Sequence, residues 1–174
     1  MVLQQSPAKA CVFGVLPPGA TKATITISSS SSSSSSDGDA AFTPYDVAAS
    51  VEDGSGAWKA CLKPQAGGHS TFTVTATCTG CPTVATLHDV VFGDVWYCGG
   101  QSNMALPMSH TLSRNISRDA VLAGKYGNIR IHGIKGNMNP DQPWSTLKDA
   151  LVTTKGADSD HSAMMGYVQG EVHT

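Results

Sequence analysis

The chain has 174 residues, of which 40% are hydrophobic and 14% are charged, and its net charge at pH 7 is −2. This length allows one domain or two small ones with a buried core. Because the chain has no strong excess of basic residues, we do not expect a nucleic-acid partner. No apolar run approaches the roughly 20 residues of a membrane-spanning helix, so no membrane span is expected either.

The first half of the chain is predicted to consist of short strands. Four segments are rich in Val, Ile, Thr and Phe and are separated by turn residues: 11–15, 22–27, 57–62 and 71–77. The last of these alternates strictly, with Phe72, Val74 and Ala76 on one face and threonines on the other, as in a half-buried antiparallel strand. Residues 1–86 are therefore predicted to form a small β-sandwich-like domain.

Nine consecutive serines, at positions 28–36, interrupt this domain. A serine tract has no apolar surface whose burial could offset the entropy lost on ordering. We therefore predict a flexible loop between two strands. A phosphorylated or glycosylated tract is the alternative.

Five cysteines stand at positions 11, 61, 78, 81 and 98, so at least one is unpaired even under full oxidation. Cys78 and Cys81 have the spacing of a zinc or redox pair. A second Cys-x-x-Cys pair for zinc is missing, however, and the motif precedes a strand rather than a helix. We expect structural or loop thiols, with a local disulfide as the alternative, and we expect no metal site.

From Leu87 onward the pattern changes to that of an α/β domain. Residues 90–96 are almost continuously apolar, as in a strand covered on both faces, and residues 128–134 repeat this pattern. Weak helical spacing is found at 117–126 and again at 163–168. Strands that alternate with helices predict a parallel sheet, in which ligand sites lie beyond the carboxyl ends of the strands.

The first of these apolar strands runs into the glycine pair 99–100 and then Ser102. Glycine permits a sharp turn, and Ser102 is then expected at a helix N-terminus. There the backbone N–H groups of Ser102 and Asn103 could hold an oxyanion. The alternative is a serine that only caps the helix. Met104 stands where the Gly-x-Ser-x-Gly nucleophile elbow has its second glycine.

The segment from Leu87 to Met104 resembles the nucleophile block of the sialate O-acetylesterase family, which has a Gly-Asp-Val-Trp strand followed by Gly-Gln-Ser-Asn-Met. The opening Met-Val-Leu-Gln, the Pro-Gly-Ala turn at 18–20 and the pair Trp144-Ser145 are also similar to that family. The resemblance implies that residues 87–174 are the N-terminal part of an SGNH-type domain, a flavodoxin-like three-layer α/β hydrolase. It implies an esterase that removes O-acetyl groups from sialic acids or related carbohydrates without a cofactor.

By the same resemblance, Ser102 is the nucleophile, and Gly100, Gln101 and Asn103 form the turn and oxyanion hole around it. The family's histidine base and its carboxylate partner lie far downstream, in an Asp-x-x-His-type segment that follows a Trp-Gly-Gly block. The chain extends 72 residues beyond Ser102, and we expect it to lack both elements. The alternative to an active esterase is therefore a catalytically incomplete fragment.

No local histidine is predicted to replace that base. His110 would lie about 12 Å along a helix from Ser102, whereas proton transfer needs heavy atoms about 3 Å apart. His132 alternates out of phase with the isoleucines of its strand and is predicted to lie on a strand face. Asp160 and His161 are adjacent, but the resemblance implies that this pair begins a helix.

The expected partner is an O-acetylated carbohydrate, and the oligomeric state stays open. The resemblance suggests a secreted or lysosomal location. The first five residues, Met-Val-Leu-Gln-Gln, lack the charged start and apolar core of a signal peptide. The localisation therefore stays open as well.

Overall fold

The computed structural model describes residues 1–30, 42–82, 84–97, 111–132 and 144–149, and the backbone of 168–171. The chain divides into two compact units, one formed by residues 3–92 and the other by residues 1–2 together with 93–174. Strands occur in both units and a helix occurs in the second, so the fold is α/β. The predicted domain limits, 1–86 and 87–174, stay a prediction.

The described residues contain eleven strands and the helix α1. In chain order they are β1 (Val2–Gln4), β2 (Cys11–Val15), β3 (Ala23–Ser29), β4 (Tyr45–Ala48), β5 (Ser50–Val51), β6 (Ala57–Cys61), β7 (Phe72–Cys78), β8 (Ala85–Tyr97), α1 (Arg114–Leu122), β9 (Ile129–His132), β10 (Ser145–Thr146) and β11 (Val168–Glu171). Each of the four strands predicted in the first half is therefore present, with ends that differ by at most two residues.

The first unit, residues 3–92, is built from antiparallel pairs. Strand β3 lies between β4 and β7, and β7 pairs in turn with β8. Strand β6 lies between β2 and β5 in a separate sheet. One buried cluster draws side chains from both sheets, namely Ala10, Ile25, Ile27, Ala60, Leu62, Phe72, Val74, Val90 and Phe92. The sandwich-like arrangement itself stays a prediction.

Strand β7 shows the predicted alternation. Phe72 and Val74 are buried, while the threonines between and after them are partly or fully exposed. Phe72 contacts two further rings edge-on, with centroid distances of 4.9 Å to Phe42 and 5.3 Å to Phe92. Such edge-to-face pairs add stability beyond the apolar area that they bury.

The serine tract falls between β3 and β4, which are antiparallel neighbours. Its position between two strands was therefore predicted correctly, but Ser28 and Ser29 belong to β3. The hydroxyl of Ser30 forms a 2.7 Å hydrogen bond with that of Thr73. Residues 31–36, predicted to be flexible, lie outside the described residues.

The prediction of structural or loop thiols at Cys78 and Cys81 is wrong, and its alternative, a local disulfide, is the one that the structure has. Cys11 and Cys61 are disulfide-bonded, and so are Cys78 and Cys81. Cys11 lies directly opposite Cys61 in the β2–β6 pair, next to the hydrogen bond that Leu62 N–H donates to the Ala10 carbonyl. It therefore occupies a non-hydrogen-bonded position, where facing side chains approach most closely. Cys98 lies outside the described residues.

The helix predicted over 117–126 begins earlier, at Arg114, and ends earlier, at Leu122. It ends there because Gly124 terminates it. Gly124 has a positive φ of 79°, a conformation that glycine adopts without a Cβ clash. Its N–H donates to the Val121 carbonyl, and the Lys125 N–H donates to the Ala120 carbonyl. These two bonds form a Schellman motif, which ends the helix.

The helix predicted over 163–168 is wrong at its last residue, since Val168 begins strand β11. Residues 163–167 lie outside the described residues. Within the described part of the chain, no helix has both the length and the apolar character needed to cross a membrane.

Gly14 provides a test of the packing between β2 and β6. It lies opposite Trp58, and a Cβ at Gly14 would be only 2.7 Å from the indole Cζ2. Because Trp58 also packs against the buried cluster, the ring has little room to move. We predict that Gly14→Ala lowers the free energy of unfolding by about 1–3 kcal/mol, measured by urea denaturation. Gly68→Ala is the control, since a Cβ there meets nothing within 4 Å; equal losses for both variants would contradict the packing.

The Cys11–Cys61 disulfide closes a segment with a sequence separation of 50 residues, against 3 for Cys78–Cys81. Loop-closure entropy predicts that Cys11→Ala/Cys61→Ala costs about 4 kcal/mol of stability, and the other double variant about 2 kcal/mol. Urea denaturation measures both losses. Thiol titration of the unfolded, unreduced chain provides the check, because detection of all five thiols would show that neither bond forms.

Candidate active site

The predicted site residues Gly100, Gln101, Ser102 and Asn103 lie outside the described residues, in the segment 98–110. The structure does describe β8, the strand that leads into this segment. The last residue of β8, Tyr97, precedes Ser102 by five positions. The surroundings of the end of β8 are therefore the described part of the candidate site.

Burial changes sharply along β8. Val90, Val91 and Phe92 are buried, whereas Trp96 and Tyr97 are 58% and 83% exposed. The prediction that residues 90–96 are covered on both faces is therefore wrong for the end of the strand. The strand leaves the core before it ends, so its last two aromatic side chains stand in solvent beside the start of the predicted nucleophile segment.

The carboxyl ends of β8 and β9 lie at the same edge of the sheet. Strand β11 pairs antiparallel with both, so β8 and β9 run parallel to each other with β11 between them. The sheet is mixed rather than purely parallel as predicted. Tyr97 and His132 both lie opposite Val168, which places their Cα atoms two strand spacings, about 10 Å, apart. In α/β sheets, this edge is where ligands bind.

The position of β9 is fixed by a small core in the second unit. Ile131 is buried together with Val121 of α1 and Leu147, and Ile129 packs against the same cluster. Successive residues of a strand project to opposite faces. His132, the next residue, therefore projects to the face away from α1, which agrees with its prediction as a strand-face residue.

His132 is held by an aromatic neighbour. Its ring stacks on that of Trp144, with a centroid distance of 5.6 Å and an interplanar angle of 27°. The His132 Nδ1 atom is buried, and it has no hydrogen-bond partner among the described residues. The sequence marks Trp144 only as part of the pair Trp144-Ser145 and gives no sign of its contact with His132.

The expectation that the chain lacks an Asp-x-x-His segment is wrong, because its sequence contains one. Asp158 and His161 have this spacing, 56 and 59 residues after Ser102. The spacing can be read directly from the sequence, where His161 also has Asp160 as its immediate neighbour. Both residues lie outside the described residues, so the structure says nothing of their distance from Ser102.

Within the described ranges, no group of three or more His, Cys, Asp and Glu side chains is placed to hold a metal ion. The Cys78-x-x-Cys81 pair, which has the spacing of a metal or redox motif, is closed as a disulfide.

Comparison with known proteins identifies the family. No protein-family model matches the chain. The chain is 35% identical over 136 residues to a Mus musculus protein named sialate O-acetylesterase, and 31% identical over 152 residues to a Homo sapiens protein of the same name. These alignments cover 77% and 87% of the chain. The chain belongs to the sialate O-acetylesterase family. It spans about a quarter of the length of these relatives, since the alignments cover 23% and 26% of them.

This membership supports hydrolase function at the level of the family. It agrees with the resemblance of residues 87–104 to the family's nucleophile block. The relatives with this name are about four times as long as the aligned segment. The activity of this chain and the roles of its own residues are therefore matters of proposal.

The packing of Ile131, a residue of β9, against α1 can be tested with a second isoleucine as the control. Ile131 is 8% exposed, whereas Ile116 on α1 is 78% exposed. We predict that Ile131→Ala costs about 2–4 kcal/mol in local stability because it leaves a cavity, while Ile116→Ala costs less than about 0.5 kcal/mol. Amide hydrogen exchange of β9 measures the difference. Unchanged protection of β9 in Ile131→Ala would contradict the packing.

Proposed function

We propose that this chain carries the nucleophile of a carboxylic ester hydrolase that removes O-acetyl groups from sialic acids or related carbohydrates. Ser102 is the nucleophile. The observation that carries the proposal is the position of the nucleophile-like block, which begins within β8 and continues past the carboxyl end of that strand. The family membership supports the same activity, because the relatives are named for it.

The chemistry requires few groups. The Ser102 Oγ attacks the acetyl carbonyl carbon, and a base takes the hydroxyl proton. The backbone N–H groups around Gly100, Gln101 and Asn103 hold the negative oxygen of the tetrahedral intermediate, and losing one such donor typically costs about 3–4 kcal/mol of barrier. The sugar hydroxyl leaves with a proton, and water then hydrolyses the acetyl-enzyme in the same manner.

We further propose that residues 87–174 are the first part of an SGNH-type domain and that residues 1–86 are a β-sandwich-like domain before it. Two arguments support this arrangement: β8 and β9 run parallel, and the first unit has two antiparallel sheets around one buried cluster. The two disulfides are typical of an oxidising compartment, which supports the secreted or lysosomal location suggested by the family.

The alternative, a chain that has no activity of its own, is favoured by a specific gap in the sequence. No Trp-Gly-Gly block follows Ser102 within these 174 residues, so the second set of oxyanion donors expected from the family resemblance is missing. Asp158 and His161 have the spacing of a carboxylate and its histidine, but they come without that block. We propose that the 174 residues alone do not turn over ester.

The test measures acetate release from p-nitrophenyl acetate and from a 9-O-acetylated sialic acid. We expect no release above the rate of Ser102→Ala, because removing part of a serine triad can cost about a million-fold in turnover. Release that disappears in both Ser102→Ala and His161→Ala would overturn the predicted inactivity and identify Asp158 and His161 as the partners of Ser102.

A chimera tests the nucleophile itself. In it, the 174 residues are followed by the part of the Homo sapiens relative that lies beyond the aligned segment. We expect acetate release that falls by about 10⁴-fold or more in Ser102→Ala, while Ser117→Ala, a serine on α1, leaves it unchanged. A chimera that keeps its activity in Ser102→Ala would refute the role of Ser102.

A further inference from the structure

Three aromatic side chains lie on one face of the second unit, at the edge of the sheet where β8 and β9 end. They are Tyr97, His132 and Trp144, called here the aromatic row. Tyr97 and His132 both pair with Val168 of β11, and directly paired residues of antiparallel strands share a face. Trp144 lies on the same side, because its ring stacks on that of His132.

This face is distinct from the one that α1 covers. Ile131, which precedes His132, is buried against Val121 of α1 on the other side of the sheet. Tyr97 is 83% exposed at the end of the aromatic row nearest to β8. His132 and Trp144 are partly exposed, so the aromatic row is open to solvent rather than enclosed, and contiguous apolar surface open to solvent is typical of binding sites. The aromatic row therefore has the character of a binding surface rather than of a core.

The chemistry of the aromatic row suits a sugar. Each of the three rings combines an apolar face with a polar group: a phenol O–H, an imidazole nitrogen or an indole N–H. A pyranose ring has the complementary character, with C–H groups on its faces and hydroxyl groups around its edge. A surface that binds a purely apolar ligand does not need a polar group on each of its rings.

We propose that the aromatic row binds the carbohydrate part of the substrate, with a sugar ring packed on the exposed ring of Tyr97 and the partly exposed ring of Trp144, and with its hydroxyl groups hydrogen-bonded to the Tyr97 hydroxyl and the Trp144 indole N–H. The inference rests on the proposed function, since Tyr97 joins the aromatic row to the segment that holds Ser102. The Tyr97–His132 separation of about 10 Å accommodates more than one sugar ring. The aromatic row thus recognises a glycoside rather than the acetyl group.

The experiment measures binding without turnover. The probe is the methyl α-glycoside of N-acetylneuraminic acid, which carries no ester, and calorimetric titration into the full 174-residue chain gives its Kd. We expect Tyr97→Ala and Trp144→Ala each to raise the Kd about threefold to tenfold, the range for loss of one aromatic contact. Tyr97→Phe, which keeps the ring, should retain most of the affinity.

Phe13→Ala is the matched control, because Phe13 is 82% exposed but lies in the other unit. Tyr97 is exposed, so its truncation leaves the buried clusters intact and keeps the test valid even where Trp144→Ala unfolds. No saturable binding by the unsubstituted chain, or an unchanged Kd in Tyr97→Ala, would overturn the proposal.

The binding experiment and the hydrolysis experiment can each refute one proposal without refuting the other. Binding that depends on Tyr97, combined with a chimera indifferent to Ser102→Ala, would support the aromatic row and refute the esterase mechanism. Activity of the chimera that depends on Ser102, with binding indifferent to Tyr97→Ala, would leave the esterase proposal intact and refute the aromatic row.

Discussion

Backbone pairing along β8 is the constraint on which the rest of the structure depends. This strand of 13 residues hydrogen-bonds to β7 near its start and to β11 near its end. Its middle residues, Val90 to Phe92, are buried. The pairing with β7 aligns Val90 with Phe72, and the pairing with β11 aligns Tyr97 with Val168. The position of Tyr97 beside β11 follows from this pairing.

The same logic of register explains the contacts between β2 and β6. One alignment of these strands places Cys11 opposite Cys61 and Gly14 opposite Trp58. The disulfide and the close approach of the indole to a residue without a side chain are consequences of that alignment. A shift of one residue would separate the sulfur atoms and bring Trp58 against a side chain. Gly14 and the Cys11–Cys61 pair therefore both depend on the same register of these two strands.

At the candidate site, the sheet edge brings together residues that are far apart in sequence. Tyr97 and His132 are 35 positions apart, yet each lies opposite the same residue of β11. The sequence predicts that His132 is a strand-face residue rather than a base, and its orientation away from Ile131 agrees with that prediction. Only the tertiary structure shows that this face also carries Tyr97, through β11, and Trp144, through its stacked ring. A strand-face position and a functional position are thus compatible at a sheet edge.

The sequence alone determined which segments become strands in the first half of the chain, because alternation of apolar and polar residues is a local property of a strand. It also determined the family, since residues 87–104 form a specific contiguous block. Tertiary structure decided what depends on partners distant in sequence: the pairing of the cysteines, the exposure of Trp96 and Tyr97, and the antiparallel β11 between β8 and β9. Val168 fits a helical spacing within its own segment, yet it lies in a strand. Hydrogen bonding to neighbouring strands decided its state, and no local pattern records those neighbours.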